Sequence, residues 1–161
     1  MLQFQPMHLH RHLQRLCAAL ACGLAIGNAG AAASPVRLPP ASDLVVVVSA
    51  RNPVTALRAD QVAAIFLGQA MRFPDGVEAA PLDQRIGSPV RDTFYLRVAN
   101  KNPALLKAHW SKMVFTGRGQ PPGELEDSAA VRRKVAEDPN AIGYIERSAL
   151  DASVRAVLVV P

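Results

Sequence analysis

Asp43-Leu44-Val45-Val46-Val47-Val48-Ser49 is an unbroken aliphatic run held between polar residues. A run without polar alternation predicts a strand buried on both faces, as in α/β sheets. Arg51-Asn52-Pro53 ends it. Residues 59–67 carry Val62, Ile65 and Phe66 at helical spacing before Gly68, which predicts a short helix with a glycine stop. Phe73-Pro74-Asp75-Gly76 predicts a turn, and residues 78–84 a strand. Val90, Phe94 and Val98, four apart, give the next segment one apolar helical face. Asn102-Pro103 opens another helix through about Phe115, with Leu106, Trp110, Met113 and Val114 as its stripe. A glycine- and proline-rich loop spans 115–123. Asp127 or Ser128 caps a helix containing Val131 and Val135, which Pro139 limits. The last two strands are expected at 141–145 and 154–160. Strands alternating with helices imply an α/β fold: a single three-layer domain with a mixed β-sheet flanked by helices.

The first 33 residues follow another logic. His8, His10, Arg11, His12 and Arg15 make a basic start, residues 16–26 a short apolar run, and residues 28–34 a small-residue stretch. This is the layout of a secretory signal peptide, with cleavage expected after Ala31 or Ala33 and a periplasmic destination. The apolar run falls short of the roughly 20 residues that span a bilayer. Ala19-Leu20-Ala21-Cys22 loosely resembles a lipobox, with alanine where a larger aliphatic residue belongs, so lipid anchoring at Cys22 is the lesser expectation. The expected organisation is 1–33 signal peptide, 34–42 Pro/Ala-rich linker and 43–161 folded domain. Cleavage after Ala33 leaves 128 of the 161 residues, removes Arg11 and Arg15 from a net charge of +5, and takes away Cys17 and Cys22. The exported domain then has no thiol to form a disulfide or hold a metal.

Candidate chemistry centres on Gln84-Arg85-Ile86-Gly87-Ser88-Pro89-Val90-Arg91. Ser88 suits a helix N-cap and Pro89 the first helical position. Such a start aims unpaired amides and a partial positive charge at the space before it, where an anion binds. Arg85 and Arg91 add guanidinium groups suited to phosphate-like oxygens. The plainer alternative is a capped helix with two solvated arginines.

Catalysis is not indicated. His109, the one histidine after residue 33, sits within a helix beside Trp110. Ser88 lies outside any Gly-x-Ser-x-Gly elbow. There is no Walker loop, no metal-ligand spacing and no call for a cofactor. Glu124, Glu126 and Asp127 read as solvated loop acids. Modest charge, few aromatics and the export signal argue against nucleic acid as a partner.

Ala64-Ile65-Phe66-Leu67-Gly68, Phe73-Pro74-Asp75-Gly76, Arg85-Ile86-Gly87-Ser88, Phe115-Thr116-Gly117 and Ala141-Ile142-Gly143-Tyr144 together resemble segments of the phosphate-type periplasmic solute-binding proteins of ABC transporters, in the same order and spacing. The resemblance covers most of residues 43–146. It implies one lobe of a family whose full-length members close two lobes on an anion, with phosphate or a similar oxyanion as ligand. The loop resembles the family's Arg-x-x-Gly-Ser-Gly-Thr segment. Arg85 falls close to the arginine, Gly87 and Ser88 match, and Pro89 and Val90 stand where glycine and threonine belong. The anion-binding set the resemblance implies is therefore Arg85, Gly87, Ser88, Val90 and Arg91. Ser49 is the one remnant of the oxyanion segments expected near the start of a full-length member. A half site holds an anion by about 4 kcal/mol, a millimolar affinity. Tight binding then requires a homodimer or another partner to enclose the ligand. The competing expectation is a non-transport module, kept as a lobe for interaction with an envelope transport or sensor protein.

Overall fold

The computed structural model describes residues 44–160. The expected signal peptide, its cleavage sites, Cys22 and the linker lie outside the described residues. Five strands and four helices follow in the order β1 (Leu44–Ser49), α1 (Ala59–Phe66), β2 (Ala80–Gln84), α2 (Pro89–Ala99), α3 (Pro103–Phe115), β3 (Gly123–Leu125), α4 (Ser128–Glu137), β4 (Ala141–Glu146) and β5 (Val154–Val159). The sheet order is β3-β2-β4-β1-β5. β1 runs antiparallel to both β4 and β5, whereas β2 runs parallel to β3 and β4, so the sheet is mixed.

The aliphatic run of β1 is explained by its central position. Leu44, Val46 and Val48 enter the core shared with α1, α2 and α3, and Val45 and Val47 enter the core under α4. Both faces are covered, so no position along the strand rewards a polar side chain, and each buried valine contributes roughly 1.5–3 kcal/mol. The larger core is aromatic. Phe94 stacks on Tyr144 with ring centroids 3.8 Å apart, and Phe66 meets Phe94 edge-on at 4.9 Å. On the other face α4 approaches β4 closely at Gly143. A Cβ there would lie 2.4 Å from Val131 Cγ1, which is why glycine interrupts an otherwise large-residue strand.

Three expectations are corrected. The loop over 115–123 is followed by a short strand, β3, which pairs with the edge of β2; Gly-Glu-Leu carries no strand signal of its own. The buried face of α2 is formed by Arg91, Phe94 and Tyr95, with Val90 and Val98 only partly covered. On α3, Leu106 and Trp110 are buried, but Val114 at the helix end is 54% exposed, because no element lies over that turn.

Candidate functional site

The site is the turn from β2 into α2. The last two residues of β2, Asp83 and Gln84, point inward and are almost fully buried, and the chain then turns out through Arg85 and Ile86. Gly87 adopts φ +86°, a left-handed conformation that glycine accepts without strain, and Ser88 N–H closes the turn by donating to Arg85 O at 3.1 Å. Ser88 caps α2 as expected, and Pro89 holds its first position. The cap hydrogen bond, from Arg91 N–H to Ser88 Oγ, is long at 3.5 Å. The serine hydroxyl is also committed elsewhere: it donates to Gln84 Oε1 at 3.2 Å.

Gln84 is the residue that sequence reasoning missed. Counted back from Gly87-Ser88, the Arg-x-x-Gly-Ser spacing puts the arginine at position 84, one before Arg85. There, the glutamine amide ties two helix starts together. Its Nε2 donates to Ser128 Oγ at the start of α4 (3.2 Å) and to Tyr144 O (3.3 Å), while its Oε1 takes the Ser88 proton. An uncharged side chain thus engages both serine hydroxyls.

The expected arginines part company. Arg91 is only 6% exposed, and its Nε donates to Asp83 Oδ2 at 2.9 Å, so its guanidinium is paired within the fold. Asp83 also accepts from Tyr95 Oη at 3.0 Å, from its neighbour Gln84 N–H, and from Tyr144 Oη in a short contact. Burial pushes the Asp83 carboxyl up, opposed by the hydrogen bond from Tyr144 and the charge of Arg91. Burial lowers Arg91, yet it is held above its ordinary value because the charge and hydrogen bond of Asp83, with smaller contributions from Tyr95 and Tyr144, together outweigh that cost. Both phenols are pushed up, by burial first and then by the adjacent carboxylate. Arg85 lies outside, with its Nε 3.1 Å from Glu126 Oε1. Val90 packs against the aromatic core and leaves only its backbone for a ligand.

Glu124, Glu126 and Asp127 are exposed, as expected of solvated acids, but Glu124 lies in a strand rather than in a loop. β3 pairs in parallel with β2, setting Glu124 beside Asp83, and Arg85 N–H extends the ladder by donating to Leu125 O at 2.9 Å. This delivers two carboxylates to the turn: Glu124 accepts from Ile86 N–H at 3.1 Å, and Glu126 pairs with Arg85. Their i, i+2 spacing, the period of a strand, was the available signal. Ser49 is absent from the site. Its Oγ lies 3.5 Å from Ala136 O in the last turn of α4, while Gln84 bonds Ser128 at the first. His109 donates from Nε2 to Leu67 O at 2.9 Å and meets Trp110 edge-on, as a boundary residue does.

Beside the turn runs a groove of about 920 Å³. Ile86, Gly87 and Glu124 of the turn and Leu106, Trp110 and Phe115 of α3 are among its walls.

No protein-family model matches the sequence, and no curated protein matches it. Solved structures do. A protein described as a phosphate ABC transporter substrate-binding protein from Clostridium perfringens, with bound phosphate, is 26% identical with a TM-score of 0.57. The match covers 71% of this chain and 44% of that one. An ABC-type phosphate transport receptor from Vibrio cholerae (21%, TM-score 0.56) and PstS from Borrelia burgdorferi (13%, 0.55) match over 71% of this chain and 45% and 46% of theirs. This chain folds as one lobe of a phosphate-type substrate-binding protein. It spans less than half the length of the structures it matches. The lobe accounts for the mixed sheet with helices on both faces, and the matched structures are binding proteins. Among the described residues, no helix of the lobe is long and apolar enough to cross a membrane.

Proposed function

We propose that the chain is an exported lobe of the phosphate-binding type that serves as an interaction module of the cell envelope and has given up tight anion capture. The observation that carries this reading is the Gln84 amide, hydrogen-bonded to both Ser88 and Ser128. The carboxylate of Glu124 on Ile86 N–H adds a negative charge where an anion would approach. Two acids at the loop repel phosphate, and Arg91 is spent on Asp83.

A second reading keeps weak oxyanion binding at Arg85, Gly87, Ser88 and the Val90 amide. It is favoured by the exposure of the Arg85–Glu126 pair, whose side chains are 61% and 75% accessible. Such a surface pair is worth at most about 1 kcal/mol, so a phosphate can displace the glutamate. Calorimetric titration of the chain with phosphate, sulfate and a phosphonate separates the two. The first reading expects no saturable heat up to about 5 mM, the second expects saturation in the millimolar range, and saturation at micromolar concentration overturns both in favour of a tight anion receptor.

A further inference from the structure

The groove beside the turn carries a knob as well as a hole. Leu106 and Trp110 form a buried floor, whereas Ile86, Val114 and Phe115 on its walls are 71%, 54% and 92% exposed. A phenylalanine left almost wholly in water beside an apolar cavity of about 920 Å³ is the kind of patch that marks a protein interface. The groove also carries both signs of charge. Lys107 lines it from α3, Asp92 from α2 and Glu124 from β3, and neither Lys107 nor Asp92 is in an ion pair among the described residues.

A purely acidic or purely basic partner would leave one of those signs unmatched on burial, which is costly. A surface that offers knob and hole, cation and carboxylate together is complementary to itself. That is the requirement of a two-fold interface, in which the same patch serves both subunits. We propose that this groove is the interface of a homodimer, with Phe115 of each copy entering the groove of the other over Trp110 and Lys107 facing the carboxylates of the other copy. The proposal goes beyond the reading above, which concerns what the turn no longer holds; this one names what covers it. A phosphate titration therefore tests the one without touching the other.

The test is sedimentation of the full chain from about 1 µM to about 1 mM, read together with tryptophan emission. Trp110 is the single tryptophan, so its emission reports groove occupancy directly. The expected result is a doubling of mass and a shift of Trp110 emission with one shared midpoint. Phe115→Arg, at a position too exposed to disturb folding, is expected to raise that midpoint by about a hundredfold. Leu96→Arg, 54% exposed on α2 and outside the groove, should leave it within about twofold. A monomer across the whole range overturns the proposal, as does a dimer that survives Phe115→Arg. A monomer whose Trp110 emission responds to anilinonaphthalene sulfonate also overturns it and assigns the groove to a small amphipathic ligand.

Discussion

Two helices of this chain begin with the same local device in different surroundings. α2 starts Ser88-Pro89 and α3 starts Asn102-Pro103, each with a polar cap and proline at the first position. At α3 the device is complete in itself: Asn102 Oδ1 accepts from Leu105 N–H at 2.9 Å, at the surface. At α2 the cap bond stretches to 3.5 Å, because the buried Ser88 hydroxyl also answers to Gln84. One start is local chemistry. The other is part of a network that reaches β2, β4 and α4.

The largest effect expected from breaking the comparison comes from Arg91→Met. It leaves Asp83 buried without its cation, and urea unfolding should show a loss of about 3–5 kcal/mol. Small residual destabilisation would mean that the two phenols and the Gln84 amide suffice to hold the carboxyl. The same network makes an alkaline prediction. The chain's two tyrosines, Tyr95 and Tyr144, both have raised folded values. The stability they contribute is fully present below the unfolded value of about 10 and is lost as pH rises beyond it. Phenolate absorbance should therefore be absent from the native protein at about pH 11 and should appear together with unfolding. Independent titration of either tyrosine near its ordinary value would show that the network is open to water.

Ser88→Ala and Asn102→Ala sharpen the contrast directly. The first removes a cap and leaves Gln84 Oε1 buried without its donor, for about 1–3 kcal/mol. The second removes a surface cap, for about 1 kcal/mol. Equal costs in denaturant unfolding would show that the Gln84 link carries no energy. The smallest effect is expected for Arg85→Ala, within about 0.5 kcal/mol of the parent, because its partner Glu126 is as exposed as it is.

The fold was legible where local and tertiary demands agreed. β1 reads as a doubly covered strand because both its faces are covered. α2 and α3 begin where their caps and prolines say they should. The site was legible only in outline. Position 85 looked like the arginine of an anion loop, but β2 ends at Gln84 and the chain leaves the sheet there, so Gln84 is buried and Arg85 is exposed. Arg91 looked like a spare cation because α2 was given an all-apolar face. The charge of Asp83, three-dimensionally adjacent but eight residues away in sequence, turned that face partly polar. Glu124 and Glu126 read as loop acids because the strand that brings them to the turn is three residues long and exists only by pairing with β2.

What the sequence determined by itself was the succession of elements other than β3, their caps and the layering of an α/β lobe, since these follow from apolar periodicity and from the backbone preferences of proline and glycine. Tertiary structure alone decided which polar groups meet. Hydrogen bonds among Asp83, Gln84, Ser88, Arg91, Ser128 and Tyr144 join residues up to 61 positions apart. In a buried setting each donor must find whichever acceptor the packing brings within about 3 Å, and no local pattern encodes that choice.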